Sequence, residues 1–153
     1  MSVVVSKPMG VRMTTNIDLT QQTAAQVNAQ RLREAFEAFD RGDLDHLRNT
    51  SADNATWTNA GSSPIAGTYH GWDEIQGMLF KLFELTGGTF KTRVQSVLSN
   101  DHESCAIYDA TATVNGKTDT QRFIVLDTYN ADGKVQTTDV VAFNQEAADA
   151  LFG

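Results

Sequence analysis

The stretch ESCAIYDATATVNGKTDTQRFIVLDTY, residues 103–129, decides the fold. Asn115-Gly116 stands at its centre. Both residues tolerate positive φ, and such a pair marks the two-residue turn that joins antiparallel strands. The turn pairs Val114 with Lys117 and brings Asp109 opposite Arg122. Strands over 103–114 and 118–129 follow. Outward from this hairpin, Asn100-Asp101 and Asn130-Ala131-Asp132-Gly133 are turn signals. They delimit two further strands, about 89–99 and 134–143. A four-residue turn at 130–133 pairs Tyr129 with Lys134 and sets Ile124 opposite Asp139.

The first half of the chain reads differently. Leu32, Ala35, Phe36 and Phe39 recur at i, i+3, i+4 and i+7, one apolar face of a helix over about 19–40. Asp18 and Gln21 resemble a capping box at its start. Asp40-Arg41-Gly42-Asp43 stops it, and Asp43 caps a short helix through Leu44 and Leu47. A strand over 52–60 surrounds Trp57. A loop with Gly61, Pro64 and Gly67 comes next. Trp72, Ile75, Met78, Leu79 and Leu82 then form the stripe of a helix over about 72–86, closed by Gly87-Gly88. Residues 145–152 read as a short final helix. Residues 1–17, with Pro8 and Gly10 and no periodicity, read as a leader before a single domain over 18–153. Helices first and an antiparallel sheet after make the class α+β, with the helices on one sheet face.

Composition narrows the function. The chain has 153 residues, 41% hydrophobic, enough to bury a core without a staple. Its one cysteine, Cys105, allows no intrachain disulfide. A net charge of −7 disfavours nucleic acid and anionic lipid. No apolar run approaches a membrane span, and Val3–Val5 is too short for a signal-peptide core. A cytoplasmic protein is expected. His46, His70 and His102 show no metal-ligand spacing, so no metal and no cofactor is expected.

The run Trp57 … Gly61-Ser62-Ser63-Pro64-Ile65-Ala66-Gly67-Thr68-Tyr69-His70-Gly71 resembles the loop of SnoaL-like polyketide cyclases, in the nuclear-transport-factor-2-like superfamily. Leu85-Thr86-Gly87-Gly88-Thr89-Phe90 and Asp132-Gly133-Lys134-Val135 are similar to the same pattern, over about residues 25–152. The resemblance implies a cone-shaped curved antiparallel sheet wrapped around N-terminal helices, a cystatin-like α+β barrel with a deep pocket, and a homodimer. Relatives include ketosteroid isomerase, scytalone dehydratase, limonene epoxide hydrolase and aldol cyclases, beside proteins known only as binders. Departures stand at Thr58, where many relatives carry His, at Asp139, where many carry an aromatic, and at Asn144, where an acid is common.

Alternation sorts the strands into two faces. One carries Cys105, Ile107, Asp109, Thr111, Arg122, Ile124, Leu126, Val135, Thr137, Asp139, Val141 and Phe143. The other carries Tyr108, Lys117, Asp119, Gln121, Phe123, Asp127, Gln136 and Thr138. The first is more apolar, with three charged residues in twelve against three in eight, and is expected to be concave. Asp139, Asp109 and Arg122 are then the catalytic candidates, because a carboxylate desolvated on an apolar wall is a competent base near neutral pH. The ordinary alternative for Asp109 and Arg122 is a cross-strand salt bridge. Trp57, Tyr69, Asn59, Ile124, Leu126, Val141 and Phe143 would hold the substrate. The expected function is acid/base chemistry without a cofactor in secondary metabolism, on a small apolar oxygenated polyketide- or terpenoid-like molecule, by cyclisation, isomerisation or dehydration. The alternatives are epoxide opening by the Asp-Arg-Asp set and a non-catalytic dimeric ligand binder.

Overall fold

A computed structural model describes residues 2–3, 15–16 and 22–153. Two short strands, β1 (Ser2–Val3) and β2 (Thr15–Asn16), pair antiparallel. The expected Asp18–Gln21 cap and the rest of the expected leader lie outside the described residues. Helix α1 (Ala24–Asp40) starts at Thr23, whose hydroxyl accepts from the Gln26 N–H at 3.1 Å while the Gln26 side chain accepts from the Thr23 N–H at 2.8 Å. Asp40 closes α1, and its carboxylate accepts from the backbone and hydroxyl of Thr92. That contact ties the end of the helix to the sheet. Asp43 caps α2 (Leu44–Asn49), accepting from the His46 N–H at 3.0 Å.

The remaining elements are β3 (Ser51–Asn59), β4 (Gly67–His70), α3 (Gly71–Thr86), β5 (Lys91–Ser99), β6 (Glu103–Val114), β7 (Lys117–Tyr129), β8 (Val135–Ala142) and α4 (Gln145–Phe152). β4 lies where sequence reading places only a loop. It has four residues, too few to show an alternation, and its partner β3 holds it through pairs such as Trp57 with Tyr69. At the central turn Asn115 has φ 53° and Gly116 φ 78°, so both residues take the left-handed conformation expected of them.

The six strands form one sheet in the order β4-β3-β8-β7-β6-β5. All neighbours are antiparallel except β3 and β8, which run parallel. The expectation of a wholly antiparallel sheet is corrected at that pair. The cause is topological: α3 and β5 to β7 intervene between β3 and β8, so they need not be joined by a hairpin. β4 and β5 remain edges, and the curved sheet is open rather than a closed barrel.

The β6–β7 register is as the turn requires, Val114 with Lys117 and Asp109 with Arg122. The β7–β8 register is not. The turn takes five residues, pairing Tyr129 with Val135, and a bulge between Thr128 and Tyr129 takes up one more residue of β8, pairing Leu126 with Asp139. Ile124 therefore faces Val141. The slip at that level is two residues, an even number, so Asp139 still shares a face with Ile124 and Arg122.

The helices cover one sheet face, α1 against β5 and β6, α3 against β3 and β4, α4 against β6, β7 and β8. Along β6 every second residue from Ser104 to Val114 is buried. Ser104, Ala106, Ala110 and Ala112 are all within 1% of complete burial. Their small side chains let α1 approach the sheet closely, and Tyr108 interrupts them as the single large ring.

Candidate active site in the sheet cavity

Between the helices and the sheet lies a cavity of about 130 Å³. An apolar cavity near 150 Å³ holds one benzene ring, so this space suits a single six-membered ring. Its walls come from Phe36 of α1, Trp72, Ile75 and Met78 of α3, Trp57 and Asn59 of β3, Ala148 and Phe152 of α4, and the inner face of β6 to β8.

The structure reverses the expected faces. Asp109, Arg122 and Asp139 stand on the outer face and do not line the cavity. Asp109 and Arg122 form a cross-strand salt bridge at 2.8 Å, doubled by a second contact at 3.2 Å. The hydrogen bonds from Arg122 hold the Asp109 carboxyl below the usual carboxylate range. Asp139 is exposed beside Thr58. Ile124, Leu126, Val141 and Phe143 share that outer face, with Val141 44% and Phe143 59% exposed. The share of charges misled the reading. Lys117, Asp119 and Gln121 belong to the inner-face register but lie at the far end of the hairpin, away from the cavity. The alanines of β6, which carry little apolar weight, mark the buried side.

Trp57 and Asn59 do line the cavity; Tyr69 does not. The three share one network. The Trp57 indole donates to Asn59 Oδ1 at 2.8 Å, and both the Asn59 amide and the Tyr69 hydroxyl donate to the Ile65 carbonyl at 2.9 Å. Their polar tips secure the loop between β3 and β4. The far side of this loop is held by α4, where Asp149 accepts from the Ser62 N–H at 3.0 Å and from Gln145 at 3.0 Å. Gly61, at φ 95°, lies so close to the Asp149 carboxylate and the Gln145 amide that a Cβ there would push them aside, besides straining the backbone.

Sequence reading places a further carboxylate, Asp127, on the solvent side. Asp127 lines the cavity, 5% exposed, on central strand β7. Among the described residues its one side-chain hydrogen bond comes from the Thr138 hydroxyl at 2.6 Å. Burial pushes its carboxyl up to about 7; the Thr138 hydrogen bond pulls the other way, and the charge of Asp139 adds to the rise. The signal was available: an Asp directly after Phe123-Ile124-Val125-Leu126 needs a reason as much as Asp139 does. Replacing Thr138 by Val removes the hydrogen bond that favours the carboxylate. The Asp127 carboxyl in Thr138→Val is expected to titrate higher still, read by NMR titration of the labelled carboxyl carbon. A value unchanged or lower refutes the assigned cause.

Two more cavity residues carry donors. Tyr108 is 7% exposed, stacked on Phe123 with ring centres 5.6 Å apart and met edge-on by Phe36 at 4.8 Å. Burial, with the nearby Asp127 charge, pushes its hydroxyl well above the usual phenol value, so it stays a neutral donor. The Trp72 indole Nε1 is buried with no hydrogen-bond partner among the described residues. An unmet buried donor costs about 1–3 kcal/mol.

A curved open sheet closed by helices over a small apolar cavity, with a buried carboxyl in its wall, defines an α+β cone of the cystatin-like class. The chain belongs to the SnoaL-like domain family, whose model matches residues 32–144. A protein of Burkholderia pseudomallei described as NTF2-like shares the fold, with a TM-score of 0.75 at 21% identity over 86% of this chain and 98% of that one. An uncharacterised protein of Mycobacterium tuberculosis, Rv0034, is 32% identical over 105 residues, 68% of this chain and 79% of its own. Bal32a, from a soil-derived mobile gene cassette, has a TM-score of 0.81 at 28% identity, over 86% of this chain and all of that one. A candidate polyketide cyclase of Xanthomonas campestris has a TM-score of 0.69 at 15% identity, over 86% of this chain and 100% of that chain. No helix among the described residues is long and apolar enough to cross a membrane.

Proposed function

We propose that the protein is an acid/base enzyme of the cyclase type, with Asp127 as the group that takes and returns the proton. The observation that carries this reading is the Asp127 carboxyl, buried in a single-ring apolar cavity and raised to about 7. A base tuned to the working pH is present as carboxylate in useful amount and still holds the proton well once taken. In the proposed step a C–H bond beside a substrate carbonyl breaks, the proton passes to Asp127, and the electron pair moves onto the carbonyl oxygen as an enolate. Return of the proton at another carbon gives isomerisation. Attack of the enolate carbon on a second carbonyl gives ring closure, and the alkoxide left on that oxygen takes the proton back from Asp127. Secondary metabolism, with small polyketide- or terpenoid-like substrates, is the setting that the family favours.

Exchange of α-protons for deuterium tests the step directly. Cyclohexanone in D₂O, followed by NMR, should exchange faster with the protein, at a rate that climbs as pH rises through about 7. A rate equal to that of buffer would leave a ligand-binding protein as the better reading. Arg122→Ala should exchange at the wild-type rate, and Asp139→Asn should keep a comparable maximal rate with its pH profile moved down, because both side chains stand outside the cavity and Asp139 reaches Asp127 only through its charge. A large loss in either would return the chemistry to the outer face. Epoxide opening by Asp109, Arg122 and Asp139 lacks the cavity it would need.

A further inference from the structure

We infer that the Trp72 indole N–H is the donor that selects a carbonyl oxygen on the ligand, so that the cavity takes neutral cyclic ketones or enones in preference to hydrocarbons of the same shape. The inference rests on the cavity reading above and adds the recognition of oxygen to it. Trp72 lines the cavity from the first turn of α3. Its Nε1 is the buried side-chain polar atom left without a partner among the described residues. The other indole, Trp57, lines the same cavity but donates to Asn59.

A phenylalanine would supply most of the same packing without a stranded donor. Buried polar groups in native proteins are nearly always met, and an exception calls for an explanation. An acceptor arriving with the ligand supplies one. The walls around it are largely apolar, and the ionised group among them, Asp149, is a carboxylate already held by Ser62 and Gln145, whose negative charge disfavours an anionic ligand. The acceptor is therefore a neutral oxygen on a ring-sized body, not a carboxylate or phosphate. A site built to donate a hydrogen bond discriminates strongly against a partner that cannot accept it.

Cyclohexanone and methylenecyclohexane are the probes. They share a shape, and only the first carries an acceptor. In the full chain, the Met78 methyl signal reports occupancy, since Met78 lines the cavity. The Trp72 indole N–H signal reports the hydrogen bond. Both probes should move Met78, and only the ketone should move the indole proton downfield. The ketone should bind roughly tenfold more tightly, about 1.4 kcal/mol. In Trp72→Phe that preference should fall to near one, and any loss of stability should be no more than the smaller ring accounts for, because no existing hydrogen bond is lost.

Equal affinity for both probes with a still indole signal overturns the role of Trp72 and leaves Asp127 in place. A preference that survives in Trp72→Phe but vanishes in Tyr108→Phe also overturns it, moving the role to the Tyr108 hydroxyl. A fall in the stability of Trp72→Phe beyond what the smaller ring accounts for, with the ketone preference intact, means that the N–H serves the fold. Failure of both probes to move Met78 sinks the inference and the cavity reading together.

Discussion

Asp127→Asn is expected to lower the α-proton exchange rate by about 10²–10⁴-fold, the usual contribution of a positioned base. The same substitution should stabilise the fold above neutral pH. The two effects have one cause. In the unfolded chain the carboxyl titrates near 3.8, and in the folded chain at about 7. Between those values the unfolded state releases a proton that the folded state keeps, so wild-type stability falls as pH rises from about 4 to about 7 and is level above. At about 1.4 kcal/mol per unit the full loss is up to about 4 kcal/mol. Asparagine has the same shape, can accept from Thr138 and carries no charge to bury. Its unfolding free energy should lack that slope and should exceed the wild-type value most at pH 8. Urea melts of both proteins at pH 4, 6 and 8 measure it. Parallel curves would mean that water reaches Asp127, and the acid/base reading would lose its basis.

Leu79→Ala is expected to cost about 3–5 kcal/mol, the upper part of the range for a buried Leu. Leu79 is fully buried in α3 with packed neighbours on every side. Met78→Ala, one residue away and 3% exposed, should cost less, because Met78 borders the cavity and already lacks partner atoms on that side. Urea melts at one pH give both values. Equal costs would show that the cavity closes up in solution, which would remove the space proposed for a ligand.

Much of the fold is legible in local sequence. The helix stripe from Trp72 to Leu82, the stop at Gly87-Gly88 and the hairpin at Asn115-Gly116 each reflect forces within a few residues of chain. They therefore survive into the structure within a residue or two. β4 escaped because its reason for being a strand is β3, not its own four residues. The β8 bulge escaped because an extra residue in one strand shows only in its pairing with the next strand, which no local signal encodes.

The candidate site divides in the same way. By itself the sequence determined which side chains share a face: Asp109, Arg122 and Asp139 together, Tyr108, Phe123, Asp127 and Thr138 together. That follows from the period of two, and the even register slip preserved it. Which of the two faces turns inward was decided only by tertiary structure. A strand's alternation is symmetric under exchange of its faces, and the choice depends on where α1, α3 and α4 pack. α1 packs on the alanines of β6, whose small side chains allow its close approach, while Tyr108, Phe123 and Val125 fill the rest of the inner face. The same choice put Asp127 out of reach of bulk water, which pushes its carboxyl up to about 7, and left Asp139 in contact with solvent.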